Sequence, residues 1–110
     1  MPELELTPQE VDRRIREGDP IILVDVREPE EYAFTRVEGT EFIPMPSVPA
    51  ELQRLETFAD EHAVVVFCHH GVRSLQVAAW LREHGVENCF SMAGGIDRWS
   101  REVDPGVRRY

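Results

Sequence analysis

Cys68 opens the run Cys68-His69-His70-Gly71-Val72-Arg73-Ser74, which places a thiol, two imidazoles, a guanidinium and a hydroxyl within seven residues. A thiol attacks as its thiolate, and a free cysteine, with a pKa of ~8.5, is only ~3% ionised at neutral pH. A loop that curls around the sulfur points successive backbone N–H groups at it. A helix opening near Ser74 adds its positive end, and Arg73 adds a full charge. Both favour the ionised form. Gly71 lets the backbone curl without a Cβ clash. The chemistry expected of such a run is nucleophilic, with a covalent intermediate on the sulfur.

Such a loop needs a rigid mount on either side. Residues 63–67 are a continuous apolar, mostly valine run, too short for a helix, and read as a strand buried on both faces. Residues 74–84 read as a helix with Leu75, Ala78, Ala79 and Leu81 inward and Gly85 as its stop. Residues 21–26 form a second apolar strand, and residues 4–6, 41–43 and 88–91 are shorter candidates. Thr7-Pro8-Gln9-Glu10 reads as a capping box that starts a helix with Val11 and Ile15 on its apolar side. Further helices are expected over residues 29–34, 49–59 and 96–102, with Gly94-Gly95 as a turn. The tail 103–110, broken by Pro105 and Gly106, is expected along the surface. Strands alternating with helices predict an α/β domain with a mainly parallel sheet of about five strands and helices on both faces. In such sheets ligands gather outside the carboxyl ends of the strands, where Cys68 falls.

The 110 residues suit one domain spanning 1–110. The net charge of -9 is uneven, with sixteen acids against six bases before residue 63. That surface argues against nucleic acid, whose binding rests on phosphate neutralisation, and against an anionic membrane. All 12 bases are arginine, so amine chemistry on a lysine is excluded. No stretch reaches the ~18 apolar residues of a membrane span. The opening Met1-Pro2-Glu3-Leu4-Glu5 lacks the pattern of a secretory leader, so a cytoplasmic location is expected. In that compartment Cys68 and Cys89 are expected to stay unpaired, and two cysteines fall short of a zinc framework.

Several residues carry two readings. Cys89, on a short strand, is read as a core residue, the alternative being a resolving thiol for an oxidised Cys68. His69 and His70 either tune the loop's charge or simply face solvent. Arg73 either steers an anion or braces the loop through a carboxylate. Asp25 and Arg27, at the end of a buried strand, are read as a structural ion pair. Trp80 and Trp99 are read as core, and no metal or organic cofactor is expected.

Three motifs together resemble the rhodanese family. Cys68-His69-His70-Gly71-Val72-Arg73-Ser74 is similar to its active-site loop. Asp25-Val26-Arg27-Glu28 with Glu31-Tyr32 resembles its N-terminal signature, and Gly94-Gly95-Ile96-Asp97-Arg98-Trp99 its C-terminal motif. The resemblance implies a sulfurtransferase in which Cys68 accepts a sulfane sulfur, from thiosulfate or a persulfide, and holds it as a persulfide. Cyanide, a thiol or a sulfur-carrier protein then removes it. It also implies that the amides of residues 69–73 cradle the sulfur and the anionic donor. Related phosphatases and arsenate reductases insert one more residue between Cys and Arg, so the six residues of Cys68–Arg73 favour sulfur over phosphate. A second reading, motivated by the chain's brevity, is a non-catalytic module that docks a sulfur-relay partner. Residues 36–44 depart from the family's Gly-His-Ile segment, with no histidine and with added acids.

Overall fold

The computed structural model describes residues 3–110, so Met1 and Pro2, part of the N-terminal reading above, lie outside it. Five strands form one sheet: β1 (Glu5–Leu6), β2 (Ile21–Asp25), β3 (Glu41–Phe42), β4 (Ala63–Phe67) and β5 (Cys89–Met92). Their order is β1-β5-β4-β2-β3, and every pairing is parallel. The central strand, β4, carries the most apolar run, because it lies between β5 and β2 with both faces covered.

Successive β4 side chains point to opposite faces. Val64 and Val66 meet Leu55, Val77, Ala78 and Leu81 on one side. Val65 and Phe67 meet Val11, Ile96 and Trp99 on the other. The first layer is built by α3 (Leu52–Glu61) and α4 (Val72–Glu83), the second by α1 (Pro8–Arg16) and α5 (Gly95–Glu102). A short helix, α2 (Pro29–Phe34), follows β2. Each fully buried valine or leucine in these layers contributes roughly 1.5–3 kcal/mol.

Thr7 caps α1 as expected: its hydroxyl accepts from the Glu10 amide at 3.1 Å, and the Glu10 carboxylate reaches back to the Thr7 amide. Four expectations need correction. Ile15 is 41% exposed, so α1 buries Pro8 and Val11 instead. The segment before α3 is two 3-10 turns, Met45–Ser47 and Pro49–Glu51, because closely spaced prolines withhold the amides an α-helix needs. The helix after Cys68 starts at Val72, two residues early, and its buried face is Ser74, Val77, Ala78 and Leu81 while Leu75 faces out. Trp99 is in the core, but Trp80 is only partly buried and stacks on His84 with ring centroids 3.9 Å apart.

Candidate active site

The end of β4 and the start of α4 enclose Cys68. The first amides of any α-helix lack partners within the helix, and a capping side chain ordinarily takes one. Gly71 stands at the cap of α4 with φ +99° and offers no side chain. The Cys68 sulfur takes that place. It accepts from the amide of Gly71 at 3.1 Å and from that of Ser74 at 3.4 Å. The Ser74 hydroxyl lies 3.4 Å from the same sulfur and 2.8 Å from the hydroxyl of Ser91 on β5. The Cys68 sulfur therefore faces two amide dipoles, a hydroxyl and the positive end of a twelve-residue helix. The cradle differs from the expected one in its membership. Ser74, outside the expected span 69–73, donates its amide to the sulfur and accepts from the thiol with its hydroxyl. Cys68 itself is 1% exposed, at the bottom of its loop.

The loop's carbonyls are held from the opposite side. Ile96 and Asp97, in the first turn of α5, donate their amides to the carbonyls of Cys68 (2.8 Å) and His69 (3.1 Å). This approach is so close that a Cβ on Gly95 would lie 2.4 Å from the Cys68 carbonyl oxygen, and Gly95 also has φ +60°. With its carbonyls turned towards α5, the loop is free to turn amides towards the sulfur.

Arg73 does not point at the sulfur. Its guanidinium forks onto Glu31, with Nη1–Oε1 at 2.7 Å and Nη2–Oε2 at 3.0 Å. Of the two readings of Arg73, the geometry matches the brace. The Arg73 bond holds the Glu31 carboxyl down at about 2 despite partial burial, and Tyr110 and the Glu28 amide add to the effect. Arg73 is correspondingly raised by Glu31.

Asp25 is the register partner of Phe67, so the sheet sets the end of β2 beside Cys68. Both Asp25 and Arg27 side chains are fully buried. Arg27 Nε and Nη2 donate to the Asp25 carboxylate at 2.9 and 2.6 Å, and Nη2 also donates to the Thr35 carbonyl at 2.7 Å. Burial works against the Arg27 charge, but bonds to Asp25 and Tyr110 outweigh it and raise its pKa. Every charge in this pair is partnered, as an interior position demands.

His69 is sandwiched. Its ring stacks on Tyr110 at 3.8 Å with 7° between planes and meets His70 at 3.8 Å on its other side. His69 Nε2 lies 2.9 Å from the main-chain oxygen of Tyr110, which only accepts, so Nε2 carries the hydrogen. Burial and then His70 lower the His69 pKa, favouring the neutral ring. His70 and Val72 are exposed.

By spacing, His69, His70 and Asp97 could share an ion, their ligand atoms lying within 4.8 Å of one another. Yet Arg109 and Arg101 each sit 3.1 Å from an Asp97 oxygen, and two guanidinium groups oppose a cation there.

Cys89 is apart from this site. It pairs with Val64, four residues before Cys68 on the neighbouring strand. At ~3.3 Å per residue the two cysteines are offset by roughly 13 Å, beyond the ~7 Å limit for Cα atoms joined by a disulfide. Burial pushes the Cys89 thiol up to about 12. Sequence reading gave no role to Glu31, Ser74, Ser91 or Tyr110. Glu31 and Ser74 lay within the recognised motifs, whereas nothing local marks Ser91 or Tyr110.

Comparison with known proteins places the chain in a family. The Rhodanese-like domain family matches residues 7–102. A thiosulfate sulfurtransferase GlpE of Haemophilus influenzae is 37% identical over 106 residues, covering 96% of this chain and 95% of its own. The GlpE of Actinobacillus succinogenes is 34% identical over 106 residues, covering 96% and 92%. A crystal structure from Staphylococcus saprophyticus superposes with a TM-score of 0.79 at 31% identity, covering 96% of this chain and 98% of its own. The chain belongs to the rhodanese-like family. Within that family, its curated relatives place it with the sulfurtransferases.

Proposed function

We propose that the protein takes a sulfane sulfur from thiosulfate, or from a persulfide donor, onto Cys68 and passes it to a thiol, to cyanide or to a sulfur-carrier protein. The observation that carries the reading is the pair of amides, Gly71 and Ser74, aimed at the Cys68 sulfur. The thiolate attacks the outer sulfur of thiosulfate. A Cys68 S–S bond forms, the S–S bond of thiosulfate breaks, and sulfite leaves with the electron pair. The terminal sulfur of the persulfide is then attacked by the acceptor. The Cys68 S–S bond breaks, and the thiolate returns with that electron pair. Negative charge stays at the loop throughout, so fixed amide dipoles and the end of α4 stabilise every stage. The amides of residues 69–73 that do not meet the sulfur of Cys68 are available to the oxygens of the donor.

Phosphate hydrolysis is the weaker reading. An arginine that grips a tetrahedral anion must be free to turn to it, and Arg73 is engaged by Glu31. No helix of the described residues is long and apolar enough to cross a membrane, and two unpaired cysteines suit a reducing, cytoplasmic setting.

The test is intact mass under nonreducing conditions after incubation with thiosulfate. One added sulfur atom is expected, removable by dithiothreitol and absent in Cys68→Ala. A wild-type mass that never changes would overturn the proposal.

A further inference from the structure

We propose that Tyr110 is a positioning residue for the Cys68 loop, acting on both of its ends at once. The inference rests on the reading of Cys68 as the sulfur carrier. The tail beyond α5 is pinned to the domain by Val107, which is 7% exposed and whose carbonyl accepts from the Ser100 hydroxyl at 2.5 Å. From that anchor the chain runs on to Tyr110, whose contacts converge on groups that hold the loop. The phenol donates to Glu31 Oε2 at 2.6 Å and accepts from Arg27 Nη1 at 3.0 Å. Glu31 in turn grips Arg73, the loop's far end. The ring of Tyr110 lies flat on His69, the loop's near end, and its main-chain oxygen accepts from His69 Nε2.

Simple packing does not account for this arrangement. Tyr110 is 40% exposed, so burial of its ring is only partial, and its edge-on neighbour Phe34 is 48% exposed. Burial raises the phenol to about 12, with Arg27 and Glu31 pulling in opposite directions, so the group keeps the proton it donates. Between its two fixed ends the loop carries His70 and Val72, both exposed, and the buried Gly71. Ile96 and Asp97 hold the carbonyls of Cys68 and His69, and the aim of the Gly71 and Ser74 amides depends in addition on the ends staying in place. Small displacements of a catalytic frame cost rate disproportionately.

The test compares Tyr110→Ala and Tyr110→Phe with the wild-type chain in single-turnover loading by thiosulfate. At saturating thiosulfate the loading rate is expected to fall ~10-fold in Tyr110→Ala and ~3-fold in Tyr110→Phe, which keeps the stack on His69. The half-saturating thiosulfate concentration should move less than about twofold, since the loop amides remain present. Amide hydrogen exchange of residues 69–74 should accelerate in Tyr110→Ala while that of β4 does not. A purely structural tyrosine would lower the unfolding temperature and leave the loading rate per folded molecule unchanged, and that result overturns the proposal. Should Tyr110→Ala fail to fold, Tyr110→Phe decides: wild-type loading and wild-type exchange refute the clamp. A wild-type chain that takes up no sulfur refutes the parent reading instead, and the exchange data then decide the clamp alone.

Discussion

Arg73 and Glu31 close a two-pronged ion pair between positions 42 residues apart in sequence, joining the end of the Cys68 loop to the first turn of α2. The guanidinium is 33% exposed and the carboxylate 18%, so the pair is neither a rim contact nor a core one. For Arg73→Ala we expect a stability loss of about 1 kcal/mol, as for a partly screened pair. The thiosulfate KM should change little. Equilibrium unfolding in urea and steady-state kinetics measure the two. A tenfold rise in KM with unaltered unfolding would return Arg73 to direct contact with the donor.

The same pair gives the protein an acid limit. Glu31 is held at about 2 in the folded chain against an ordinary value of 4.5. A carboxyl lowered by folding contributes its full stabilisation above its unfolded pKa and loses it as pH falls towards the folded one. Wild-type stability is therefore expected to decline between pH 4.5 and about 2 more steeply than that of Glu31→Gln. Urea midpoints of both proteins across that range provide the check, and parallel slopes would show that Glu31 is not the responsible group.

Asp25 and Arg27 make a harsher test, because both side chains have no exposure at all. Removing one member of a buried pair strands the other charge, at a cost of about 3–5 kcal/mol. Asp25→Ala is expected to lose that much, or to fail to fold at 37 °C, with Asp25→Asn intermediate. Unfolding midpoints within half a kcal/mol of wild type would mean that water reaches Arg27.

Cys89 is expected to be a bystander. Its offset from Cys68 along β4 and β5 forbids a disulfide without rebuilding the sheet. Cys89→Ala should still load one sulfur from thiosulfate while losing about 1 kcal/mol of stability to the small void left behind. Mild peroxide should give no intrachain Cys68–Cys89 disulfide by nonreducing mass. A mass two hydrogens lighter, lost in Cys89→Ala, would contradict the register argument.

What the sequence disclosed follows from how local each cause is. Residues 21–25 and 63–67 announce themselves as strands because burial on both faces leaves no polar alternation. The Thr7 capping box is a local bond and was readable as such. The start of α4 was misplaced because Gly71 takes the cap position with a left-handed backbone, and the sulfur of Cys68 replaces the side-chain oxygen that normally signals a helix start. Ile15 looked inward by spacing, but the helix turns that flank outward. Ser91 and Tyr110 were illegible for another reason. Their roles exist only once β5 lies beside β4 and the tail folds back over α2, and no pattern in their own neighbourhoods encodes either event.

The bonds from the Ile96 and Asp97 amides to the carbonyls of Cys68 and His69 make one mechanical unit of two segments far apart in sequence. Exchanging one segment therefore puts its main-chain fit to the other at risk. A chimera that imports a foreign Cys68–Ser74 loop while retaining this Gly94–Trp99 segment would bring together carbonyls and amides never fitted to each other. Transplanting both segments as a matched set preserves the fit, so loop diversity among relatives should track diversity in the glycine turn that docks against it.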